Sequence, residues 1–469
     1  MTVSRVVLVV FDGLRPDMIA GRMPELERFA HEALDFTAAR SVFPSLTRVC
    51  TTSLATGCWP GAHGIVGNAF HARAVMADRA CDTSNFDHLV RMEKALGRVI
   101  TSDTLGAALV RHGKRMGAVH CGSAGAAFLL NPLVADQPGH WTFSIHGEHK
   151  TRTPEAVRRA VEACGPLPGT EIPKLDVCRY AGRVAGALAL GPDGPDVTVV
   201  WLPEPDTSYH YRKIGSDEAY QAMRVADTVF GEIVHAIRSG PMGDETAIVA
   251  LSDHGQIATV AEVDIATYLR EAGLPASTEP GDDTVLAMTR GAAGELRTLR
   301  DDAGLLSATV DALNAHPEIG VVFARDDLPG TLSMDLVHHV HDRRPDLFYV
   351  MRSDDLPDPA GLPGRRAHGG GVPLGGGMHG GLQEREMHVV SLWQVPGGRT
   401  GKDDAPTALV DIAPTVASLL GLPFEAQGRA LPILAPEPET AETLQTTIGQ
   451  SILLRRRIGD RIYLDRLAT

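Results

Sequence analysis

Three uninterrupted apolar runs, each leading into an acidic residue, organise this chain. Val6-Val7-Leu8-Val9-Val10-Phe11 runs directly into Asp12-Gly13. Val197 to Leu202 is followed by Pro203-Glu204-Pro205-Asp206, with His210 one helical turn further on. Thr246 to Ser252 ends in Asp253-His254-Gly255. Runs without polar alternation fit strands buried on both faces, as in parallel sheets. Open α/β sheets bind their ligands at the carboxyl ends of such strands. Helical periodicity covers 24–34, 104–112, 154–163 and 217–239, and further strands are expected over 115–121 and 388–393. Pro44 and a small polar run precede an apolar-periodic stretch ending at Gly57, which predicts a helix starting near Thr47. Residues 407–423 form a strand-to-helix unit with Asp411 as its expected cap.

The expected organisation is one catalytic α/β domain over 1–435 with insertions at about 69–99, 138–190 and 262–371. The first insertion is irregular and polar, the second is excursion material able to roof a site, and the third carries helices near 292–314. Residues 436–469 form a C-terminal extension without a readable pattern, and no internal repeat is present.

Composition narrows the partners. Lys plus Arg number 44 against 58 for Asp plus Glu, a net charge of −14 with no basic run, so a nucleic-acid polymer is not expected. The 43% hydrophobic and 22% charged content is that of a soluble globular protein, and no apolar run reaches the length needed to cross a bilayer. Met1 to Arg5 carries no secretory signal, and the six cysteines are scattered without a C-x-x-C pair. These features lead to the expectation of a cytoplasmic protein with reduced thiols, no membrane partner and an open oligomeric state.

The residues able to do chemistry are Asp12, Thr47, Asp206, His210, Asp253, His254 and His379, the last in the glycine-rich loop Gly375 to Gly381. An acid after a strand can bind a cation or cap the next helix. A hydroxyl at a helix N-terminus faces unpaired N–H groups and suits a phosphoryl oxygen, and it also serves as an ordinary cap. Adjacent Asp253 and His254 present two ligands to a divalent ion.

Taken as a set, these residues resemble the alkaline phosphatase superfamily, in its type I phosphodiesterase/nucleotide pyrophosphatase branch. The matching stretches are the strand into Asp12, Thr47 ahead of Thr56-Gly57, Thr56 to Asn68, Pro205 to His210, Asp253 to Gly255 and Gly377 to Gly380. The resemblance implies a three-layer sandwich with a central, mostly parallel sheet flanked by helices, plus cap insertions. It implies one metal at Asp206, His210 and His379, and another at Asp12, Asp253 and His254 with Thr47 beside it. The metals would be two divalent ions, zinc by ligand type, with manganese as the alternative. Thr47 would be the nucleophile of a covalent phospho-threonine route, and Asn68 would bind a phosphoryl oxygen.

Departures from the pattern bear on substrate. Thr47-Arg48-Val49-Cys50-Thr51 lacks the sulfatase signature, and Arg48 stands where nucleotide pyrophosphatases usually carry an aromatic residue. Arg48 would favour an anionic substrate if it points inward. Tyr209, in place of a frequent glycine, would line the pocket or simply fill space. The spacing from His210 to Gly215-Ser216 resembles phosphonoacetate hydrolase, but His120 to Ala124 lacks the lysines that enzyme carries there. The expected activity is two-metal hydrolysis of a small phosphodiester, nucleotide pyrophosphate or phosphonate ester. Alternatives are C–P bond hydrolysis, phosphomonoester hydrolysis and a non-catalytic metal-binding homologue.

Overall fold

The computed structural model describes residues 3–300, 302–437 and 440–468. The three apolar runs lie side by side as parallel strands, Arg5–Phe11 between Val197–Leu202 and Thr246–Ser252. The sheet has eight strands. In order across it they are Gly401–Asp403, Leu34–Phe36, Ser391–Gln394, Thr246–Ser252, Arg5–Phe11, Val197–Leu202, Met116–His120 and Trp141–Ser144. The last five run parallel, and Ser391–Gln394 pairs antiparallel with Thr246–Ser252.

Alternation along the first strand explains why it is apolar throughout. Val7, Val9 and Phe11 face helices Pro24–Glu32, Leu175–Leu188 and Asp217–Ser239. Val6, Leu8 and Val10 face helices Thr47–Thr56, Leu105–Arg111 and Ile412–Leu419. Burying each such side chain stabilises the sandwich by about 1.5–3 kcal/mol before the cost of ordering it. The result is the expected three-layer α/β architecture.

A second, six-stranded sheet is built between Ala276 and Met351 and packs with helices Ile265–Glu271 and Ala303–Ala315 around its own apolar core. It caps the main body. The helices expected near 292–314 resolve differently: Ala293–Thr298 is a strand, and the helix begins only after Asp302, whose carboxylate accepts from the Gly304 N–H. Pairing with Leu286–Met288 and Leu347–Met351 draws that stretch into the sheet.

Other segments are more regular than their sequence suggests. Within 69–99, helix Phe86–Leu96 is capped by Asn85 and buries Leu89 and Met92. The 138–190 stretch supplies the edge strand Trp141–Ser144 and helices Pro154–Cys164 and Leu175–Leu188, so much of it belongs to the sandwich itself. After residue 440 the chain forms a three-stranded antiparallel sheet, Glu442–Ile448, Ser451–Ile458 and Arg461–Ala468. Its Leu453, Leu464 and Leu467 pack with Phe43, Phe323 and Phe348, joining body to cap. Asp411 does not cap its helix through its side chain. Its carboxylate accepts from the Ala408 and Arg429 N–H groups and from the Tyr463 hydroxyl.

Candidate active site

The carboxyl ends of the central strands converge on one cavity of about 550 Å³, lined by Asp12, Thr47, Arg48, Asn68, Asp206, His210 and His379 among others. Gly13, at φ +74°, makes the turn after the first strand. A Cβ there would stand 3.0 Å from Asp206, so the close approach of the two strand ends requires glycine. The Gly13 N–H donates to Asp253 Oδ1 (3.1 Å). The run Gly375-Gly376-Gly377 works the same way, since a Cβ on Gly376 would meet the His210 carbonyl at 2.2 Å.

Two triads of side chains able to hold a metal ion come together: Asp206, His210 and His379 in one, Asp12, Asp253 and His254 in the other. In the first, Asp206 Oδ1 lies 3.3 Å from His210 Nε2 and 3.6 Å from His379 Nε2. In the second, His254 Nε2 lies 3.2 Å from Asp253 Oδ2 and 3.5 Å from Asp12 Oδ1. All three Nδ1 atoms are directed at backbone carbonyls, of Gly377 (2.6 Å), Ser45 (2.7 Å) and Gly255 (3.2 Å). If each donates there, every Nε2 is left as a lone-pair donor directed at the carboxylates of its own triad.

The carboxylates are treated likewise. Asp12 Oδ2 accepts from Trp201 Nε1 (2.9 Å), and Asp206 Oδ1 accepts from the Gln256 amide. Asp12 Oδ1 and Asp253 Oδ2 are buried with no hydrogen-bond partner. Orphaned buried acceptors of this kind are costly unless a cation meets them. They are also the two oxygens nearest His254 Nε2, so the donor set fits a divalent metal ion.

The electrostatics record the same crowding. Burial, with Asp253 and Asp206 nearby, pushes the Asp12 carboxyl well above its usual range, and burial, with Asp206 adding to it, takes Asp253 to about 8. Burial lowers His254 to about 4 and His379 well below its ordinary value. At Asp206 burial is outweighed by His210, His379 and His254, and its carboxyl is held low.

Thr47 opens helix Thr47–Thr56, and its Oγ1 lies 3.1 Å from His254 Nε2. Its N–H belongs to a first turn, where backbone donors lack intrahelical partners. Asn68 Oδ1 accepts from the Arg48 N–H (3.1 Å), which fixes the carboxamide at the cavity. Arg48 lines the cavity, where burial lowers its pKa and the charges of Asp82, Asp12, Asp206 and Asp253 offset that effect. Tyr209 is not at the site. It is fully buried in the core beneath, its hydroxyl on Met223 Sδ (3.3 Å), because that face of helix Asp206–Arg212 turns toward helix Asp217–Ser239. Tyr211 lines the cavity instead.

Sequence reasoning missed Trp201, Gln256 and Ser45, which orient the ligands. Only their closeness to Asp206, Asp253-His254 and Thr47 in sequence could have pointed to them.

An α/β sandwich whose strand ends bring two carboxylate–imidazole triads beside a helix-terminal hydroxyl fits a metal-dependent hydrolase. The chain belongs to the type I phosphodiesterase/nucleotide pyrophosphatase family, whose model matches residues 6–357. None of the curated proteins matches the sequence. Among solved structures it is similar to murine ectonucleotide pyrophosphatase/phosphodiesterase 5, an inactive variant in complex with AMP. That match has 15% identity and a TM-score of 0.62, over 90% of this chain and 97% of that one. It is also similar to phosphonoacetate hydrolase from Sinorhizobium meliloti 1021, in complexes with phosphonoformate and with phosphonoacetate. Here identity is 19% and the TM-score 0.64, over 89% of this chain and 96% of that one.

Proposed function

We propose that the protein hydrolyses a small phosphodiester, nucleotide pyrophosphate or phosphonate ester through Thr47. The observation that carries this is the placement of Thr47 Oγ1 against the second triad, with Asp12 Oδ1 and Asp253 Oδ2 left unpartnered beside it. Asp206, His210 and His379 would hold one divalent ion, zinc by donor type, and Asp12, Asp253 and His254 the other. Such ions, when bound, lower the pKa of a neighbouring hydroxyl and neutralise charge on phosphoryl oxygens.

Thr47 Oγ attacks phosphorus, the P–O bond to the leaving group breaks in line, and the hydroxyl proton is lost to solvent. The phosphoryl group, still carrying its second substituent, remains on Thr47. Water then cleaves its bond to Thr47, returning the hydroxyl and releasing a phosphate monoester from a diester or nucleotide pyrophosphate, or a phosphonate from its ester. The Thr47 N–H and the Asn68 Nδ2 donate to the phosphoryl oxygen on which charge develops. Arg48, in the cavity wall, favours substrates with added negative charge.

The test is hydrolysis of three nitrophenyl probes by the zinc-loaded protein: a phosphate diester, a phosphate monoester and a phosphonate monoester, each with and without chelator. Chelator-sensitive preference for the diester or the phosphonate ester supports the proposal. Preference for the monoester moves the protein to phosphatase chemistry, and turnover that survives chelation overturns the role of the triads.

A further inference from the structure

Helix Asp206–Arg212 supplies two ligands of the first triad, and every donor of its first turn has a partner. The Asp206 N–H donates to the Asp12 carbonyl (2.9 Å) and the Thr207 N–H to the Pro203 carbonyl (3.3 Å). The third, at Ser208, donates to a side chain, Glu204 Oε2 (2.9 Å). From Tyr209, which bonds the Pro205 carbonyl (2.9 Å), the helix satisfies its own donors. Asp206 and His210 stand one turn apart, so the pitch of this turn sets the direction of both.

Glu204 is fully buried, yet among the described residues no lysine, arginine or histidine pairs with it. Its second oxygen, Oε1, accepts from the main-chain N–H of Lys174 (2.8 Å), the residue before helix Leu175–Leu188. A buried carboxylate without a counter-charge is costly, and is tolerated when hydrogen bonds fill both oxygens. Here main-chain donors of two separate segments fill them. Arg212, in the last turn of the short helix, donates through Nη2 to the Ile172 carbonyl (2.9 Å). Ile172 and Lys174 line the cavity with Asp206, Thr207 and His210. The helix is therefore held to one stretch of the cavity wall at both of its ends.

Glu204 belongs to neither triad and does not line the cavity. The second triad, Asp12, Asp253 and His254, draws no ligand from this helix. We propose that Glu204 is a positioning residue of the first triad. By reaching two main-chain N–H groups at once, its carboxylate fixes the geometry in which Asp206 and His210 hold one ion. This rests on the proposed reading of the two triads as metal sites.

The test is zinc binding by the full chain, read by competition with a chromogenic chelator. Wild-type protein should bind two ions. Glu204→Gln leaves one acceptor for two N–H groups and should weaken one ion about 10- to 100-fold, the usual effect of losing a hydrogen bond behind a ligand. The other ion should keep its affinity, which also shows that the variant is folded. Adding Asp206→Asn to Glu204→Gln should leave this tight ion in place, whereas adding Asp253→Asn should abolish it. Glu204→Asp keeps the charge but falls one methylene short of the two N–H groups, and should weaken the same ion. Arg212→Met frees Ile172 at the other end of the helix and should keep both ions at wild-type affinity. Wild-type affinity at both sites in Glu204→Gln or Glu204→Asp, weakening of both ions together, or a tight ion that depends on Asp206 overturns the proposal alone. Wild-type protein that binds fewer than two ions defeats the reading of the triads, and the proposal falls with it.

Discussion

The imidazoles of His254 and His379 stack face to face, with ring centroids 3.6 Å apart and planes 10° from parallel. They belong to different triads, so the two candidate metal sites share a wall, and a change in one ligand is felt by the other set. Each ring is anchored from behind by a main-chain carbonyl.

Replacing the proposed nucleophile separates chemistry from binding. Thr47→Ala removes a hydroxyl whose one side-chain contact is His254, and leaves both triads whole. Turnover of the best nitrophenyl probe should fall by about a thousandfold or more, while metal content measured by mass spectrometry stays at the wild-type level. Full activity in this variant would remove Thr47 from the mechanism.

Metal loading should release protons at neutral pH. In the metal-free protein Asp253 titrates near 8 and Asp12 well above its ordinary value, so a cation must displace protons from them. Calorimetry in buffers of different ionisation enthalpy should show that release, with affinity rising as pH increases toward about 8. The sign for folding follows. A carboxyl with a raised folded pKa binds more protons in the native state than in the unfolded one, so metal-free stability falls as pH rises from about 4 to 8. Buffer-independent heats would contradict the assignment.

Trp201 holds Asp12 through one hydrogen bond of 2.9 Å. Trp201→Phe frees that carboxylate and leaves its second oxygen unsatisfied. Metal affinity measured by competition with a chelator should drop about 10- to 100-fold, the usual effect of losing an outer hydrogen bond to a ligand.

Tyr209 and Tyr211 are neighbours with opposite consequences. Tyr209→Phe loses one contact to Met223 in the core and should leave kcat/KM unchanged. Tyr211→Ala alters the cavity wall and should raise KM. Steady-state kinetics on both variants checks the pair.

Arg366 and Glu386 form a fully buried ion pair. Arg366 also donates to the Ala292 and Met351 carbonyls of the cap, and Glu386 accepts from the Gly381 N–H beside His379. Glu386→Leu leaves the guanidinium buried without its counter-charge and should destabilise the protein by about 3–5 kcal/mol, read from denaturant unfolding. A loss below about 1 kcal/mol would mean the pair is not the brace between cap and site.

The sandwich and the candidate residues at its strand ends were legible because each depends on local pattern, whereas their division into two triads was implied only by the family resemblance. A short unbroken apolar run bounded by turn residues fits a strand buried on both faces, and in an open α/β sheet an Asp or His just after it stands at the ligand-binding edge. Asp12, Asp206, His210, Asp253 and His254 are set in this way, and His379 by the glycines that let its loop approach. Tertiary structure decided what depends on which face meets which neighbour. Tyr209 and Tyr211 are equally aromatic in sequence, yet the pitch of one short helix buries the first and exposes the second. The strand at Ala293–Thr298 exists because partners on both sides supply its hydrogen bonds, and Asp411 leaves its capping role because Arg429 and Tyr463 arrive from remote segments. Lys174 and Arg290 lie 116 positions apart, and only the closure of cap on body brings both to one cavity.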